Sequence, residues 1–564
     1  MKSLFHGVIA ESMIFPYPVP RRAEADQLHG FLGEVRKFFG KNVDSARIDR
    51  EGAVSEEVMA GLRDLGLFGI GIPTSYGGKG LSHTACARVV QELGTLDSSL
   101  AVTIGAHQFI GVRSLLLFGN DALKNAYLPK AAKGECVCAF GLSEAGAGSD
   151  AAALRTHAER DGDFHVLTGT KVWVTNGGIA DLFTVFARTS PADGDEKPRI
   201  TAFLVERAFG AKTTANEGKL GVRGTSTTDL ILDRVRVPDG NVLHDPGRGF
   251  KVAMEVLNDG RLGMAAGCIG TARRLIKLAT DRTKERRAFG RTIGEFGLIK
   301  DKIAQMMAST YALESMTYLT TGLVDGAAHD YSIESAICKV FGSETLWSIA
   351  NDALQIAAGA GYTQSQPFER LLRDARVNLI FTGTNEILRC FIALSGMQGP
   401  GKELTDVSRA MREPIKGFGL LSDFALRKAK TAFARDRMRL AHPLLARESV
   451  VLEEYAQDLA RNVDKVLRKH GRNIAEMQFT QRRVADMAID LYAVAATLAR
   501  TTRAIEERGE EGARREIDMG SIFVATAEKR LRENAFAFDK NDDELRKAVA
   551  AKAYSDGGYP LDII

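Results

Sequence analysis

The 564-residue sequence is short of several features that would narrow its class at once. Its six cysteines are Cys86, Cys136, Cys138, Cys268, Cys338 and Cys390, and only Cys136 and Cys138 stand close together. One C-x-C inside an apolar run lacks the second ligand pair of a zinc site, so no metal centre is expected. Scattered cysteines of this kind pack as small hydrophobes where thiols stay reduced. Charge of one sign is scarce too. Lys+Arg at 75 against Asp+Glu at 71 leaves +4, which gives no reason to expect a nucleic-acid partner. Met1 to Pro20 has neither the apolar core of a signal peptide nor the Arg- and Ser-rich pattern of a transit peptide. No run reads as a membrane-spanning helix. A cytoplasmic protein is expected, peripheral at most on the inner face of a membrane, or a mitochondrial-matrix one if a leader was removed.

What is there is globular: 45% hydrophobic and 26% charged residues, in a chain long enough for three or four domains. Helical spacing of Phe31, Leu32, Val35, Phe38 and Phe39, then of Val89, Val90 and Leu93, predicts a helical domain over 23–135. Over 136–246 the pattern shifts to strands at His165–Thr175, Asp181–Ser190, Ile200–Arg207 and Leu230–Val237. Turns such as Asp161-Gly162-Asp163 and Asn176-Gly177-Gly178 separate them, which predicts a small β-barrel or sandwich. Helical spacing returns over 247–395, where Phe250, Ala253, Val256, Leu257 and Gly260 share a face. Gly396, Gly399, Pro400 and Gly401, then Pro414, Gly417 and Gly419, predict a linker over 396–440. A helical extension follows over 441–564, with faces Leu452/Tyr455/Leu459/Val463/Val466 and Val484/Met487/Leu491/Ala495/Leu498.

Five motifs carry chemistry, and each has a plain alternative. Gly141-Leu142-Ser143-Glu144-Ala145-Gly146-Ala147-Gly148-Ser149-Asp150 can offer amides to a phosphate or a flavin edge, or simply join two domains. It is neither a dinucleotide fingerprint nor a nucleophile elbow, because the third glycine is missing and Ala145 stands where the elbow needs glycine. In Lys171-Val172-Trp173-Val174-Thr175-Asn176-Gly177-Gly178, Trp173 and Thr175 share a strand face and can cover and bond a flat cofactor; a core tryptophan is the alternative. Arg286-Arg287-Ala288-Phe289-Gly290 is a phosphate fork or a basic helix end closed by glycine. Leu354 to Tyr362 and Ile380 to Arg389 are small-residue turns beside helices.

In this order and spacing the five motifs resemble the acyl-CoA dehydrogenase family, closest to its very-long-chain branch. The branch shares the Phe15-Pro16-Tyr17-Pro18 opening, the Gly105-Ala106-His107-Gln108 helix and the extension beyond a glycine-rich linker. The resemblance spans nearly the whole chain. It implies an α+β fold: an N-terminal helical domain, a middle β-barrel domain, a C-terminal four-helix bundle and an extra helical domain. It implies FAD, with Phe140, Leu142 and Ser143 against the flavin, Trp173 over the ring and Thr175 at its reactive edge. Ser149 would serve cofactor and CoA, and Arg261 the substrate. Arg286, Phe289, Gln355 and Gly359 would hold the pyrophosphate and adenosine across a homodimer interface, with Thr384 and Glu386 nearby. Long-chain acyl-CoA and an electron-transfer flavoprotein are the implied partners.

The family's reaction is α,β-dehydrogenation of an acyl-CoA, which needs a carboxylate base for the α-proton. In most members that base is a glutamate just before Gly-Thr; here the position is Thr382. In a minority it precedes the arginine of the substrate-lining helix; here that position is Gly260. Three explanations stand open. Glu386 or Asp259 serves instead, the flavin chemistry is an oxidation or oxygenation that dispenses with the base, or the protein binds without turnover. Finally, Phe424, Leu426, Phe433, Met438 and Leu440 interleave with Arg427, Lys428, Lys430, Arg435, Arg437 and Arg439. That composition suits a helix on an anionic membrane or one packed on a core, and the resemblance favours the membrane.

Overall fold

The computed structural model describes residues 1–189, 199–328, 330–410 and 437–563, with side chains only to Asp406 in the third stretch. The chain divides into two compact units, Pro16–Leu388 and Met1–Phe15 with Arg389–Ile564.

The larger unit begins with helices whose starts are written in their cap residues. Asp44 accepts from the amides of Ala46 and Arg47, Ser55 from Val58, Ser82 from Ala85, Asp97 from Leu100 and Asn120 from Leu123. Each satisfies amides that a first helical turn leaves open. The helices run Arg22–Asn42, Ser45–Glu51, Glu56–Asp64, His83–Leu96, Ser98–Ala106, Val112–Phe118 and Asp121–Lys133. A π-turn, His107–Gly111, joins the fifth and sixth. Ser98–Phe118 is therefore long and apolar enough to cross a membrane by length and composition, contrary to the sequence expectation, and it is 61% buried in the fold.

Inside the π-turn the buried His107 stitches helix to sheet. Its Nδ1 accepts from the Cys138 amide at 3.0 Å, which leaves Nε2–H to donate to the Phe68 carbonyl at 3.1 Å. Burial drives its pKa down to about 4, so the ring is neutral and its tautomer is fixed by its partners.

Among the described residues eight strands follow: β1 Cys138–Gly141, β2 His157–Asp161, β3 Phe164–Thr175, β4 Leu182–Thr189, β5 Arg199–Glu206, β6 Lys212–Thr213, β7 Thr227–Pro238 and β8 Val242–Leu243. They form one mixed sheet in the order β6-β7-β3-β2-β4-β5-β8, with β1 parallel to β4. The strands expected from sequence are β3, β4, β5 and β7, and Ser190 lies outside the described residues. The short strands β1, β2, β6 and β8 carry too few residues for a period-2 signal. Leu167, Val174, Leu230 and Leu232 share a core with Phe183, Val185, Phe203 and Val205, so both halves of the sheet turn inward on one interior.

The helices Gly249–Glu285, Gly297–Asp325, Ser332–Ala357 and Phe368–Arg376 then build the bundle. Gly270 lets the first of these touch helix His83–Leu96 backbone to backbone, since a Cβ there would lie 1.9 Å from the Gln91 carbonyl oxygen. Reciprocal bonds lock that contact, Thr95 Oγ1 to Gly270 O and Thr271 Oγ1 to Gly94 O, each at 3.1 Å.

In the smaller unit, Leu452, Tyr455, Leu459, Val463 and Val466 are buried on helix Ala446–His470. Val484, Met487, Leu491, Ala495 and Leu498 are buried on helix Gln478–Gly512. One expectation fails. Helix Asn385–Ala410 runs on through Gly396, Gly399, Pro400 and Gly401, where a linker was predicted. These glycines serve close packing instead: a Cβ at Gly396 would lie 2.0 Å from the Phe5 ring, and one at Gly399 2.8 Å from His6 Nε2. The remaining linker signals, Pro414, Gly417 and Gly419, lie outside the described residues, as does the basic stretch through Phe424, Leu426, Arg427, Lys428, Lys430, Phe433 and Arg435.

Candidate active site

The glycine-rich loop leaves β1 rather than a helix, and one carboxylate organises it. Glu144, 7% exposed, accepts from the Arg155 amide at 2.6 Å, the Thr156 amide at 2.9 Å and Lys171 Nζ at 2.7 Å. Desolvation pushes its carboxyl up, but Lys171 and these donors outweigh it and take it down to about 2. Lys171, fully buried on β3, also donates to the Leu142 carbonyl at 3.3 Å, and the Val172 amide donates to Ser143 O at 2.9 Å. Phe140 packs on Phe186 with ring centroids 5.0 Å apart; Leu142 and Ser143 are half-buried and Ser149 is exposed.

Just beyond Lys171, β3 carries a bulge against β7, where the register shifts between Lys171 and Val174. Trp173 sits in it at φ 56° and is 61% exposed, with Val174 buried and Thr175 half-buried. The bulge turns a large indole out of the core and leaves its face uncovered.

The Arg286–Gly290 motif is not the glycine-closed helix end that sequence allowed. The helix stops at Glu285, and Arg287–Ala288 pairs antiparallel with Arg291–Thr292 around Phe289 and Gly290, at φ 50° and 82°. Two positive φ values in succession make a tight hairpin turn. Its tip carries Phe289 at 93% exposure beside exposed Arg286. At the end of helix Ser332–Ala357, Gln355 and Gly359 are exposed, and a Cβ on Gly359 would meet open space.

At position 382 several groups converge. Thr382 has φ 56°, an outlier for a β-branched residue, and Gly383 follows at 100°. The Thr382 hydroxyl donates to the Phe381 carbonyl at 2.8 Å and lies 3.9 Å from Met264 Sδ. Arg261, 5% exposed and lowered by burial to about 10, reaches the Thr382 carbonyl at 3.5 Å and Asn258 Oδ1 at 3.0 Å. Buried Lys339 donates to the Gly383 carbonyl and to Asn385 Oδ1, both at 2.8 Å. Thr384 begins the next helix, its Oγ1 3.4 Å from the Ile387 amide. Among the described residues the Thr382 amide has no acceptor.

The two substitute carboxylates are placed differently. Asp259 is 1% exposed with both oxygens engaged, Oδ1 by the Tyr331 hydroxyl at 2.7 Å and Oδ2 by Arg113. Burial, and then Asp259, push the Tyr331 phenol up, which keeps it a donor. Glu386 is exposed in the first turn of its helix. At Gly260 a Cβ would lie 2.7 Å from Ile110 Cγ2, so the π-turn covers that position.

Arg261 and Thr382 are thus brought together, as are Leu142, Ser143 and the strand bearing Trp173. Sequence reading missed Glu144, Lys171 and Lys339 as site-forming groups. The signal for the lysines was a lone cation inside an apolar stretch, as in Ala336-Ile337-Cys338-Lys339-Val340-Phe341. Uncovered aromatic faces at Trp173 and Phe289, with exposed Arg286, suit a ligand that pairs flat rings with a pyrophosphate, and FAD is such a ligand.

Comparison with known proteins decides the family. The acyl-CoA dehydrogenase N-terminal, middle and C-terminal domain descriptions match residues 26–135, 139–235 and 247–397, and the ACAD9/ACADV C-terminal domain matches 443–559. The chain belongs to the acyl-CoA dehydrogenase family. The human very long-chain specific acyl-CoA dehydrogenase, mitochondrial, is 41% identical over 549 residues, covering 95% of this chain and 84% of that one. A Bacillus anthracis acyl-CoA dehydrogenase solved with FAD has 28% identity and a TM-score of 0.79, covering 99% of this chain and 96% of its own. The prolyl acyl carrier protein oxidase AnaB superposes at TM-score 0.62 with 29% identity, over 65% of this chain and 98% of its own. FAD is the cofactor of this family of fatty-acid β-oxidation oxidoreductases, and its members act on acyl-CoA.

Proposed function

We propose that this chain binds FAD and a long-chain acyl-CoA at the site around Thr382, and that α,β-dehydrogenation there is slow or absent. In that reaction the Cα–H bond breaks as a proton passes to a base, the Cβ–H bond breaks as a hydride leaves, and the Cα=Cβ bond forms. FAD, when bound, supplies the hydride acceptor.

What the chain itself brings is binding and charge stabilisation. The Thr382 amide, which has no acceptor among the described residues, suits a thioester carbonyl, where developing enolate charge is best met by a fixed donor. Trp173 and Thr175 would cover and contact the flavin ring, Phe140, Leu142, Ser143 and Ser149 its loop side. Arg286, Phe289, Gln355, Gly359, Thr384 and Glu386 would hold the rest of the cofactor. Arg261 supports the turn the ligand would meet. The observation that argues against turnover is Thr382 itself, whose hydroxyl keeps its proton and donates it in a hydrogen bond to the Phe381 carbonyl at 2.8 Å. An alcohol is a poor base without a neighbour to take its proton. Asp259 is engaged at both oxygens, and Gly260 has no side chain.

Anaerobic titration of the yellow protein with saturated acyl-CoA of several chain lengths tests this. Little bleaching in the unmutated protein and fast bleaching in Thr382→Glu are expected. Fast bleaching without the mutation would overturn the reading. The similarity to AnaB, named as an oxidase, favours a second reading in which the flavin site serves oxidation of another acyl carrier. Oxygen consumption with acyl thioesters would separate the two.

We further propose a homodimer, which the solvent-facing Phe289, Leu298 and Tyr362, all above 80% exposed, support. An electron-transfer flavoprotein would be the acceptor if turnover occurs. Peripheral membrane binding through Phe424 to Leu440 is proposed from its composition; within it, Leu440, Arg437 and Arg439 are exposed. The human relative is mitochondrial by name, which favours the matrix over the cytoplasm.

A further inference from the structure

The turn that carries Thr382 is held from behind by two buried cations, one on each of its successive carbonyls. Arg261 Nε approaches Thr382 O at 3.5 Å, and Lys339 Nζ donates to Gly383 O at 2.8 Å. The second contact is the less expected. Lys339 has 0% exposure, projects from an apolar stretch in the first third of helix Ser332–Ala357, and pairs with no described carboxylate. Its other bond goes to Asn385 Oδ1 at 2.8 Å, a neutral acceptor that also receives the Ser343 hydroxyl at 3.2 Å, while Asn385 Nδ2 donates back to Ser343 Oγ at 3.0 Å. A buried ammonium that no carboxylate touches is costly to keep charged. If the position served packing alone, a methionine would fill it; if it served hydrogen bonding alone, a neutral amide would. The charge therefore calls for a reason beyond both.

The geometry supplies one. Thr382 and Gly383 lie at positive φ, which a β-branched residue adopts only when its surroundings impose it. Cations on the two carbonyls favour it, and among the described residues the Thr382 amide has no acceptor. We propose that Lys339 is a positioning residue for the acyl thioester: it pins the Gly383 carbonyl so that the Thr382 amide stays available to the thioester oxygen, and it places a positive charge behind that amide. This rests on the acyl-CoA reading above. The role does not depend on the side chain at position 382, so it persists when the base is absent.

Burial lowers Lys339 to about 7, which makes its charge responsive near neutrality. The groups that act on it are Cys268 and Arg261 of helix Gly249–Glu285, Glu344 of its own helix, and Glu386 of the helix after the turn. Arg261 opposes its protonation; the thiol and the two carboxylates favour it. Enolate stabilisation should therefore be strongest while Lys339 keeps its proton and fade as pH rises above about 7.

Acetoacetyl-CoA provides the test, because a β-keto thioester ionises to its enolate without a protein base. The enolate absorbance of the ligand bound to the FAD-loaded protein is titrated against pH in the unmutated chain, Lys339→Met and Lys339→Gln. Both variants should raise the bound ligand's pKa by at least about one unit, a tenfold loss of preference for the enolate. Gln keeps a neutral donor for Gly383 O and remains informative if Met does not fold. An unchanged ligand pKa in the variants would overturn the role of Lys339 alone, since a structural role would alter melting temperature and leave the ionisation alone. No binding of acetoacetyl-CoA by the unmutated protein would overturn the acyl-CoA reading, and this proposal with it.

Discussion

A threonine at φ 56° is uncomfortable for reasons independent of chemistry: its branched Cβ crowds the backbone in the left-handed region. Asparagine tolerates that region, so Thr382→Asn should stabilise the protein by about 1 kcal/mol in urea unfolding. A loss of stability would mean that the hydroxyl bond to Phe381 O outweighs the strain. Neighbouring residues explain why simple substitutes for the base do not stand ready. Asp259 accepts from Tyr331 and Arg113, and Gly260 lies under Ile110, so a glutamate at 260 must first displace the isoleucine. The vacancy at 382 was legible from a single letter, because one family motif surrounds it. The state of Asp259 was not, since its partners lie 146 and 72 residues away in sequence.

Between elements, two buried groups make measurable predictions. Glu144 joins the glycine-rich loop to β3 through Lys171. Glu144→Gln leaves that lysine buried and uncompensated, and should cost about 3–5 kcal/mol. Lys171→Met added to it should recover part of the loss, as a double-mutant cycle will show; simple additivity would deny the coupling. FAD affinity should fall in the single mutants, read by flavin fluorescence. His107 joins the π-turn to β1, and its folded pKa of about 4 lies below the ordinary value near 6.5. The unfolded chain therefore binds the extra proton first as pH falls. Stability should drop between about pH 6.5 and 4 by roughly 3 kcal/mol from this group, and level off below. A flat profile over that window would contradict a neutral His107 in the folded protein. Periodicity revealed the long helices and strands β3, β4, β5 and β7, because each repeats its apolar face several times. It could not reveal the bulge at Trp173 or the helix through Gly396, where glycine admits Phe5 rather than breaking the chain.

For the whole molecule, the division into units assigns Met1–Phe15 to the same body as the C-terminal extension. Phe5 is 1% exposed against Gly396, and Glu11 accepts from the amides of Arg439 and Leu440 at 2.7 and 2.8 Å. Deleting residues 1–15 should thus lower the melting temperature of the C-terminal unit and leave the flavin-binding unit near its own; scanning calorimetry resolves the two. Phe289→Asp should yield a monomer with weakened FAD retention in sedimentation, if the exposed hairpin is a subunit contact. A dimer with full flavin content would refute that. Domain order was readable because five motifs stand in sequence, whereas the N-terminal contribution to the C-terminal unit has no local signature.

The claim that no base serves the ligand's α-carbon is tested most directly by proton exchange. A 3-thiaacyl-CoA has an acidic α-proton and no β-hydrogen to lose, so only the base step can occur. Incubated in deuterium oxide with the FAD-loaded protein, it should gain deuterium no faster than in buffer. With Thr382→Glu the exchange should accelerate by about 10²–10⁴-fold, the usual contribution of a positioned general base. Rapid exchange by the unmutated protein would contradict the account, because some other residue would then be removing the proton.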